Sequence, residues 1–366
     1  MGLGQGTVEG MELSTIHSHV WAGKRVLVTG HTGFKGGWLA LWLQSMGAEV
    51  FGIALPPPTT PALFEVARVG DGMQPHVADI RGYAAIAPLF AQIQPEVVFH
   101  LAAQPLVRAS YQQPLDTYAT NVMGTAHVLE AARNAGSVRA IVNITTDKCY
   151  DNREVDAGYR ESDPLGGRDP YSSSKACAEL VSRAYRDSFL HDAGVALATA
   201  RAGNVIGGGD WAEDRLVPDV LRALERGEPV AIRNPHAIRP WQHVLEPLSG
   251  YLVLAQHLLA YGQQDAEGWN FGPDGDDAQP VQRVVEHLCQ AWGADARWVL
   301  QPGTHPHEAH FLRLDITKAR QRLHWVPRWS LQTALCQTVA WQRAWQHGDD
   351  MRTVCLQQIS EYLQTA

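Results

Sequence analysis

The stretch VLVTGHTGFKGGW (26–38) decides the fold of this 366-residue chain. It begins as an apolar strand, places Gly30, Gly33 and Gly36 in the turn that follows, and continues into a predicted helix. In such a turn the first glycine permits the tight bend, the second lets a pyrophosphate approach the backbone, and the third allows close packing of the helix. The unpaired N–H groups at the start of the helix also attract phosphate. The turn therefore predicts a dinucleotide-binding site rather than a purely structural bend.

The sequence on both sides of this turn alternates between short apolar runs of β type and segments with helical periodicity. Parallel neighbours in a sheet need crossover connections, and strands covered on both faces are almost continuously apolar. The pattern therefore predicts an α/β fold with a Rossmann-like, doubly wound parallel sheet. The predicted strands span 25–30, 49–55, 76–80, 96–102, 139–146 and 195–200, and the predicted helices span 37–46, 83–93, 114–134 and about 170–190.

The alternation ends after Arg201, where loops rich in glycine and proline are followed by shorter, less regular elements. A smaller C-terminal lobe that binds the substrate is predicted from there. The helical stretch 244–260 and the strand-like GWNFG (268–272) are apolar enough to return to the first lobe, so we expect the two lobes to interleave. The predicted division is a flexible N-terminal tail at 1–20, a dinucleotide-binding domain at 21–204 plus about 240–272, and a substrate lobe at about 205–239 plus 273–366.

The composition is that of an ordinary soluble globular protein, with 45% hydrophobic and 19% charged residues. A formal net charge of −8, without a local run of Lys or Arg, disfavours binding to nucleic acid or to an anionic membrane. The five cysteines are scattered and form no C-x-x-C pair, which argues against a disulfide framework or a zinc site and favours a reducing compartment. No apolar run of about 18 residues is present. These observations predict a cytoplasmic protein.

Tyr171 and Lys175 lie four residues apart on a predicted helix and therefore share a face. A tyrosine phenol has an ordinary pKa near ~10, and a neighbouring ammonium together with a positive nicotinamide ring lowers it enough for the phenolate to act as a base at neutral pH. The alternative is a surface Tyr/Lys pair on an amphipathic helix. The glycine turn and the sequence TTD (145–147) precede the pair in order, which favours the catalytic interpretation.

The stretch ITTDKCY (144–150) ends an apolar run with two threonines, an acid and a lysine. Asp147 follows the carboxyl end of a predicted central strand, where partial burial raises a carboxyl pKa and lets the acid protonate a leaving hydroxyl. Simple oxidation of an alcohol needs no such acid. Asp147 therefore suggests an elimination.

Taken in order, these motifs resemble the extended short-chain dehydrogenase/reductase superfamily, whose pattern also includes HLAA (100–103), Asn121 and YSSSK (171–175). Within that superfamily the chain is similar to the nucleotide-sugar 4,6-dehydratases, most of which carry Thr-Asp-Glu where this chain has Thr-Asp-Lys at 146–148. The lysine form and unusual segments such as RAGNVIGGGDWAEDRLVPD (201–219) resemble the CDP-glucose 4,6-dehydratases in particular.

The resemblance implies an NAD-dependent hydro-lyase that converts CDP-glucose into CDP-4-keto-6-deoxyglucose. On this resemblance, Tyr171 removes the C4 hydroxyl proton while hydride passes to NAD, and Thr146 binds the same hydroxyl. A base then takes the C5 proton as Asp147 protonates the C6 hydroxyl, water leaves, and hydride returns to C6. The implied catalytic residues are Thr146, Asp147, Lys148, Tyr171 and Lys175.

Two roles for Lys148 remain open in such a reaction. In the first, Lys148 is the base that takes the C5 proton, for which its amine must be uncharged. In the second, it stays charged and stabilises the enolate while another group or water takes the proton. The alternative without a catalytic role is a solvated lysine at the end of a strand.

The resemblance also implies which residues hold the cofactor. No Asp or Glu ends the second predicted strand, where 53–58 is apolar and rich in proline, so the usual acceptor for the ribose hydroxyls is missing. NAD is the predicted cofactor, and Lys35 keeps NADP open as an alternative. The implied contacts are Gly30, Thr32, Gly33, Phe34, Lys35, Gly36, Asp79, Ile80, Leu101, Ala102, Ala103, Tyr171 and Lys175.

The substrate contacts implied by the resemblance are Arg108, Asn204, Arg215, Arg239, His307 and Glu308. Guanidinium groups suit a diphosphate because they form paired hydrogen bonds with it. The alternative for each arginine is an ordinary surface ion pair, for Arg215 with the adjacent Asp214. The stretch HPHEAH (305–310) lacks the spacing of a zinc motif, so no metal is predicted.

The predicted partners are a small-molecule substrate and further copies of the chain, with neither nucleic acid nor membrane. Helices 114–134 and 170–190 carry more apolar residues than one buried stripe requires, which indicates a homodimer or homotetramer. Rival interpretations are a dehydratase or C4 epimerase for another nucleotide sugar, and a non-catalytic dinucleotide sensor. An epimerase needs Tyr171 but no acid at Asp147, and a sensor would lack Tyr171 or Lys175.

Overall fold

A seven-stranded parallel sheet forms the centre of the computed structural model, which describes residues 15–154, 157–293, 298–300 and 312–365. The strands are Arg25–Thr29 (β1), Glu49–Ala54 (β2), Met73–Val77 (β3), Val97–His100 (β4), Ala140–Ile144 (β5), Ala196–Ala202 (β6), Asn204–Ile206 (β7), Val230–Ile232 (β8), Ile238–His243 (β9), Gly268–Phe271 (β10), Ala278–Pro280 (β11) and Trp298–Leu300 (β12). The central sheet has the order β10-β6-β5-β4-β1-β2-β3. The predicted doubly wound sheet is confirmed, and GWNFG returns to it as the edge strand β10.

Helices cover both faces of this sheet and build much of the smaller part of the molecule. They are Ser18–Trp21 (α1), Phe34–Ser45 (α2), Leu63–Val66 (α3), Tyr83–Ile93 (α4), Val107–Gln112 (α5), Pro114–Tyr118 (α6), Gly124–Ala135 (α7), Pro170–Tyr185 (α8), Leu216–Arg226 (α9), Leu245–Tyr261 (α10), Val281–Trp292 (α11), Thr317–Arg322 (α12), Leu331–His347 (α13) and Met351–Gln364 (α14). A π-helical turn, Ala119–Met123, joins α6 to α7, and a second, Arg186–Leu190, extends α8. Among the described helices, none has the length and apolar character needed to cross a bilayer.

Alternate residues of the central strands point to opposite faces of the sheet. Val26 and Val28 of β1 belong to a core shared with α2 and α10. Leu27 belongs to a separate core on the other face, shared with α4 and α7. All three residues are completely buried, and burial on both faces explains why such strands appear in the sequence as continuous apolar runs.

Several elements differ from the sequence prediction, and three of them adjoin the glycine turn or the cleft. The helix α2 begins at Phe34 instead of Gly37, because Gly33 is its N-cap and the glycines at 36 and 37 lie inside the helix. The strand β3 spans 73–77 instead of 76–80; it is a partly exposed edge strand, so it lacks an apolar signal. The six-residue helix α5 has no counterpart in the prediction, because it is too short to show a helical period.

The smaller part of the molecule has its own core. One small sheet contains β7, β9 and β11, and another contains β8 and β12. The helices α9, α11 and α13 enclose a cluster that includes Leu221, Leu288 and Leu335. The last helix, α14, packs instead against α2, where the rings of Trp42 and Tyr362 meet edge to face. The division of the chain into two interleaved lobes remains a prediction.

The N-terminal segment contacts α10. Residues 1–14 of the predicted tail lie outside the described residues. The backbone N–H of His17 and the indole N–H of Trp21 both donate to the side-chain oxygen of Gln256, at 2.9 and 3.2 Å. The described part of the predicted tail therefore packs on the central fold.

Candidate active site

The glycine turn brings the ends of β1 and β4 and the start of α2 into close contact. Gly30 has a φ of +77°, and a Cβ on it would lie 2.7 Å from the backbone nitrogen of Ala102. A Cβ on Gly36 would lie 2.2 Å from the carbonyl oxygen of Gly30. Gly33 is the N-cap of α2 and offers no side-chain acceptor to the first turn of the helix. The turn therefore presents helix N–H groups to the cleft beside it, which fits a diphosphate.

A single cleft of about 1670 Å³ runs from this turn along the carboxyl edge of the sheet to β7, β8 and β9. Such an edge is where open α/β sheets bind their ligands. The predicted cofactor contacts all line it: Gly30, Thr32, Gly33, Phe34, Lys35, Gly36, Asp79, Ile80, Leu101, Ala102, Ala103, Tyr171 and Lys175. The predicted residues that lie far apart in the sequence are thus brought to one surface.

The end of the cleft near β2 combines apolar residues with one charged pair, Asp79 and Arg81. The hydroxyl of Thr32 donates to the backbone oxygen of Leu55 at 2.9 Å and ties the glycine turn to the end of β2. The apolar Leu55 and Pro56 follow, as the sequence indicated. Asp79 accepts hydrogen bonds from Arg81, and this contact holds the pKa of the carboxyl below its ordinary value.

Lys35 points away from that end and toward the centre of the cleft. Burial lowers the pKa of its ammonium to about 7, and the positive charges of Lys175 and Arg215 lower it further, while Asp147 opposes them. These are groups of the predicted catalytic and substrate sets. Lys35 is therefore not placed to bind a 2′-phosphate at the end of the cleft near β2, where the described cation Arg81 is paired with Asp79.

The five predicted catalytic residues come from two neighbouring elements. Tyr171 and Lys175 lie on α8, and Thr146, Asp147 and Lys148 follow β5, with all five facing the cleft. The ammonium of Lys175 donates to the backbone oxygen of Ile144 at 3.2 Å, which joins the helix to the strand. The hydroxyl of Thr146 donates to Oδ1 of Asp147 at 3.0 Å and lies close enough to the phenol of Tyr171 to lower its pKa.

Asp147 is buried, and only 2% of its surface is exposed. Burial raises the pKa of its carboxyl above the ordinary value, although Lys148, the Thr146 hydroxyl and Arg239 act in the opposite direction. Oδ2 receives no hydrogen bond from any described residue. A Cβ at position 203 would lie 3.0 Å from that oxygen, so the glycine leaves room for the buried carboxyl. Asp147 also lines the cleft, and a protonated carboxyl there can donate its proton to a ligand.

The protein's own groups do not, on balance, lower the pKa of Tyr171; the sequence predicts that lowering from Lys175 together with a nicotinamide ring. Burial raises the pKa of the Tyr171 phenol to about 12, and the negative charge of Asp147 adds to the effect, whereas the Thr146 hydroxyl and Arg215 lower it. Burial also lowers the pKa of Lys175 to about 8. The helix places the two side chains on one face, but burial outweighs the nearby positive charge of the protein.

Four of the predicted substrate contacts, Arg108, Asn204, Arg215 and Arg239, line the same cleft. The guanidinium of Arg215 pairs with Asp210 at 2.7 Å and not with its neighbour in the sequence. That neighbour, Asp214, instead pairs with Arg108 at 2.9 Å and with Arg233 at 3.0 Å, across the mouth of the cleft. The two remaining predicted contacts, His307 and Glu308, lie outside the described residues. No group of three or more potential metal ligands occurs in the described chain.

Beneath the cleft lies an ion pair that the sequence analysis missed. Glu179 and Arg201 are about 4% exposed, and Oε2 of the glutamate lies 2.7 Å from Nη2 of the arginine. Burial alone would raise the pKa of Glu179, yet Arg201 and two threonine hydroxyls hold it below the ordinary value. The available signal was the position of Glu179, four residues after Lys175 and so on the same face of α8.

Comparison with known proteins gives concordant results. The model of the GDP-mannose 4,6 dehydratase family matches residues 27–338. A CDP-glucose 4,6-dehydratase from Salmonella typhimurium is 56% identical over 353 residues, which cover 95% of this chain and 98% of the relative. The solved structure of a UDP-glucose 4-epimerase from Thermotoga maritima with UDP-glucose has a TM-score of 0.77 and 25% identity, covering 88% of this chain and 99% of its own. The structure of MoeE5 in complex with UDP-glucose and NAD has a TM-score of 0.73 and 26% identity, covering 88% and 99%.

Proposed function

Because the chain belongs to the GDP-mannose 4,6 dehydratase family, we propose that it removes water from a nucleotide-activated hexose and converts CDP-glucose into CDP-4-keto-6-deoxyglucose. The relative that shares 56% of its residues over 95% of the chain is a CDP-glucose 4,6-dehydratase, which supports both the reaction and the cytidine nucleotide. The chain is therefore an NAD-dependent hydro-lyase. We place it in the cytoplasm, in keeping with its unpaired cysteines.

The observation that carries this proposal is the buried carboxyl of Asp147 beside Tyr171. A C4 epimerase needs only a group that takes and returns the C4 hydroxyl proton. An elimination also needs an acid for the leaving hydroxyl, and burial raises the pKa of the Asp147 carboxyl, which favours its protonated form. The Thr146 hydroxyl is hydrogen-bonded to Asp147 and acts on the pKa of Tyr171, so the acid and the phenol lie close together.

NAD, when bound, supplies a reversible hydride acceptor between C4 and C6 of the sugar. Tyr171 accepts the proton of the C4 hydroxyl, and Thr146 orients that hydroxyl. A protonated Asp147 helps the phenol to ionise, because it removes the negative charge that raises the pKa of Tyr171. The acid form of one residue and the base form of the other thus favour each other.

The protons balance over the reaction. Two leave the sugar, one from the C4 hydroxyl to Tyr171 and one from C5, which the 4-ketone makes acidic. Two enter it, one from Asp147 onto the C6 hydroxyl, which departs as water, and one at C5 after hydride has reached C6. Lys148 stands next to the acid and faces the cleft, so it is either the C5 base or the charge that stabilises the enolate.

The diphosphate and cytosine belong at the end of the cleft formed by β7, β8 and β9. Arg239 lies on β9 and Arg215 precedes α9, and both reach the cleft close enough to act electrostatically on the catalytic groups. Their guanidinium groups would hold the two phosphates. That His307 and Glu308 lie on a loop that contacts the substrate remains a prediction.

The test is to incubate the purified protein with NAD and, separately, with CDP-, UDP-, dTDP- and GDP-glucose. We expect a product from CDP-glucose that has lost the mass of one water and shows the absorbance of a 4-keto sugar in base. Formation of CDP-galactose instead would identify an epimerase. Activity on dTDP-glucose without activity on CDP-glucose would overturn the assignment of the nucleobase.

A further inference from the structure

The segment that carries the proposed acid, residues 146–148, is held at both of its ends by one buried ion pair. Glu179 lies on α8, two turns after Tyr171 and one turn after Lys175. Arg201 lies on β6, next to β5 in the sheet. The pair therefore connects the helix of the proposed base with the strands below the proposed acid.

At the first end of the segment, Glu179 binds the side chain of Thr145. The hydroxyl of Thr145 donates to Oε1 of Glu179 at 2.5 Å, and the same oxygen accepts from Nε of Arg201 at 3.0 Å. Oε2 accepts from the hydroxyl of Thr199 at 2.7 Å and from Nη2 of Arg201 at 2.7 Å. Four hydrogen bonds thus fix the carboxylate, and Thr145 is covalently next to Thr146.

At the second end, Arg201 binds the side chain of Tyr150. Nη1 of Arg201 donates to the Tyr150 hydroxyl at 2.7 Å, and that hydroxyl donates to Oδ1 of Asn270 on β10, also at 2.7 Å. The tyrosine is 1% exposed. Its hydroxyl donates one hydrogen bond and accepts another within the protein, so its proton is not available to a ligand in the cleft.

We propose that the Glu179–Arg201 pair positions the proposed acid and its neighbour at 148 against Tyr171, by holding Thr145 and Tyr150 at the two ends of the segment between them. Neither member of the pair touches the substrate. Both act as positioning residues, because a displacement of about 1 Å at reacting groups costs on the order of 100-fold in rate. The kinetic part of this inference rests on the proposed function.

Tyr150→Phe and Thr145→Val are the sharpest tests, because each removes one hydroxyl and leaves every charge in place. Replacing Glu179 itself would also leave Arg201 buried without a counter-charge and alter the charge near Lys175. Phenylalanine at position 150 keeps the ring contacts with Tyr159 and with the guanidinium of Arg201.

Tyr362→Phe is the matched control. Tyr362 is a completely buried tyrosine whose hydroxyl donates to the carboxyl of Glu246 at 2.7 Å, in a network between α10 and α14 that is separate from the Glu179–Arg201 pair. Like Tyr150→Phe, this variant removes the hydroxyl oxygen of a buried tyrosine. Comparing the two variants therefore separates the cost of an unpaired buried group from the loss of positioning.

Two measurements are made on each folded variant: backbone hydrogen–deuterium exchange of the peptide around 145–150 without ligands, and steady-state kinetics with CDP-glucose. We expect Tyr150→Phe and Thr145→Val to speed exchange in that peptide and to lower kcat about 10-fold to 100-fold with little change in KM. Tyr362→Phe leaves both unchanged.

Unchanged exchange in both test variants overturns the inference, and so does faster exchange with kcat within about twofold of the wild type. If the wild-type protein does not dehydrate CDP-glucose, the proposed function fails. The exchange result then still decides whether the pair holds the segment, because it needs no substrate.

Discussion

The choice between a dehydration and an epimerisation depends on the carboxyl group of Asp147. Burial raises the pKa of the carboxyl, and its Oδ2 lies beside Gly203 without a hydrogen bond from a described residue. Both features come from the local fold: β5 ends at Ile144, and the chain turns at once into a short 3₁₀ segment that starts with the acid.

Asp147→Asn should abolish proton donation to the C6 hydroxyl while leaving Tyr171 and Thr146 in place. We expect kcat for dehydration to fall by about 100-fold to 10,000-fold. Oxidation at C4 continues, so reduced cofactor accumulates on the enzyme and is visible by its absorbance. The control is Asp151→Asn, which alters a partly exposed carboxyl that is paired with Arg153 and does not line the cleft. Equal dehydration by Asp147→Asn and wild type would contradict the acid role.

The two roles of Lys148 are separated by a pair of variants. Lys148→Met removes both the base and the charge, so we expect on the order of a 100-fold loss of dehydration. Lys148→Glu restores a base but reverses the charge. If it dehydrates CDP-glucose at the wild-type rate, stabilisation of the enolate by a cation is excluded. If it is as inactive as the methionine variant, the base role loses its support.

The residue-scale features differ in how far the sequence predicts them. Tyr171, Lys175 and Asp147 are found from spacing and motif order, because each lies within a short segment. The sequence does not predict the raised pKa of Tyr171 or the ion-pair partner of Arg215. Both depend on side chains from other segments that the fold brings into the same cleft.

At the scale of elements, the glycine turn allows a prediction that separates folding from cofactor binding. A Cβ on Gly36 collides with the backbone of Gly30, so Gly36→Ala should destabilise the fold by about 1–3 kcal/mol. A Cβ on Gly33 would lie 3.4 Å from the carbonyl oxygen of Gly30, which is an ordinary contact. The φ of Gly33, −83°, also suits alanine. Gly33→Ala should therefore fold normally.

Gly33→Ala nevertheless places a methyl group where the diphosphate approaches the start of α2. We expect NAD to bind about tenfold more weakly, which corresponds to ~1.4 kcal/mol. Calorimetric titration with NAD measures this, and thermal unfolding without NAD checks the fold. The matched control is Gly82→Ala at the N-cap of α4, where there is room for the added methyl. Wild-type NAD affinity in Gly33→Ala would contradict a diphosphate at this turn.

The contact between α10 and the C-terminal segment should depend on pH. Glu246 accepts hydrogen bonds from the backbone N–H groups of Arg328 and Trp329 and from the Tyr362 hydroxyl. Burial raises the pKa of its carboxyl from 4.5 to about 7. The folded state binds this proton more tightly than the unfolded state. The contribution of protonated Glu246 to the free energy of unfolding is therefore complete below about pH 4.5 and is lost as pH rises through about 7.

Glu246→Gln removes this dependence. We expect the stability of the variant relative to wild type to shift in its favour by up to about 3 kcal/mol between about pH 5 and pH 8. Denaturant unfolding at the two pH values measures the shift. Glu130→Gln is the control. The contact with Arg133 lowers the pKa of the Glu130 carboxyl, so this variant should not gain stability relative to wild type as pH rises. A constant difference for Glu246→Gln would disprove the coupling.

For the whole molecule, the sequence predicts the central sheet well because each of its inner strands is an apolar run between two helices. The edge strand β3 and the short helix α5 are missed or displaced, since neither has a buried face long enough to show a period. The docking of α14 on α2 is not predicted either. It depends on ring contacts between residues about three hundred positions apart, which no local pattern reports.

The outer surface of α6, α7 and α8 carries exposed apolar residues that would suit the predicted interface with further copies of the chain. Leu115 is 83% exposed, and Met123, Leu180 and Phe189 are each about half exposed on the same group of adjoining helices. Exposed apolar side chains clustered on one surface mark an interface, and helices pairing across a two-fold axis would cover them.

The double variant Leu115→Glu/Leu180→Glu places a charge on each of the two helical faces. We expect the wild-type protein to elute as a dimer or tetramer in size-exclusion chromatography with light scattering, and the double variant to shift to a smaller species. Burying the two carboxylates in an interface would cost far more than leaving them in water. The control is Leu363→Glu on α14, which also changes an exposed leucine but lies away from these helices. An unchanged mass for the double variant, with Leu363→Glu also unchanged, would remove this surface from consideration as the interface.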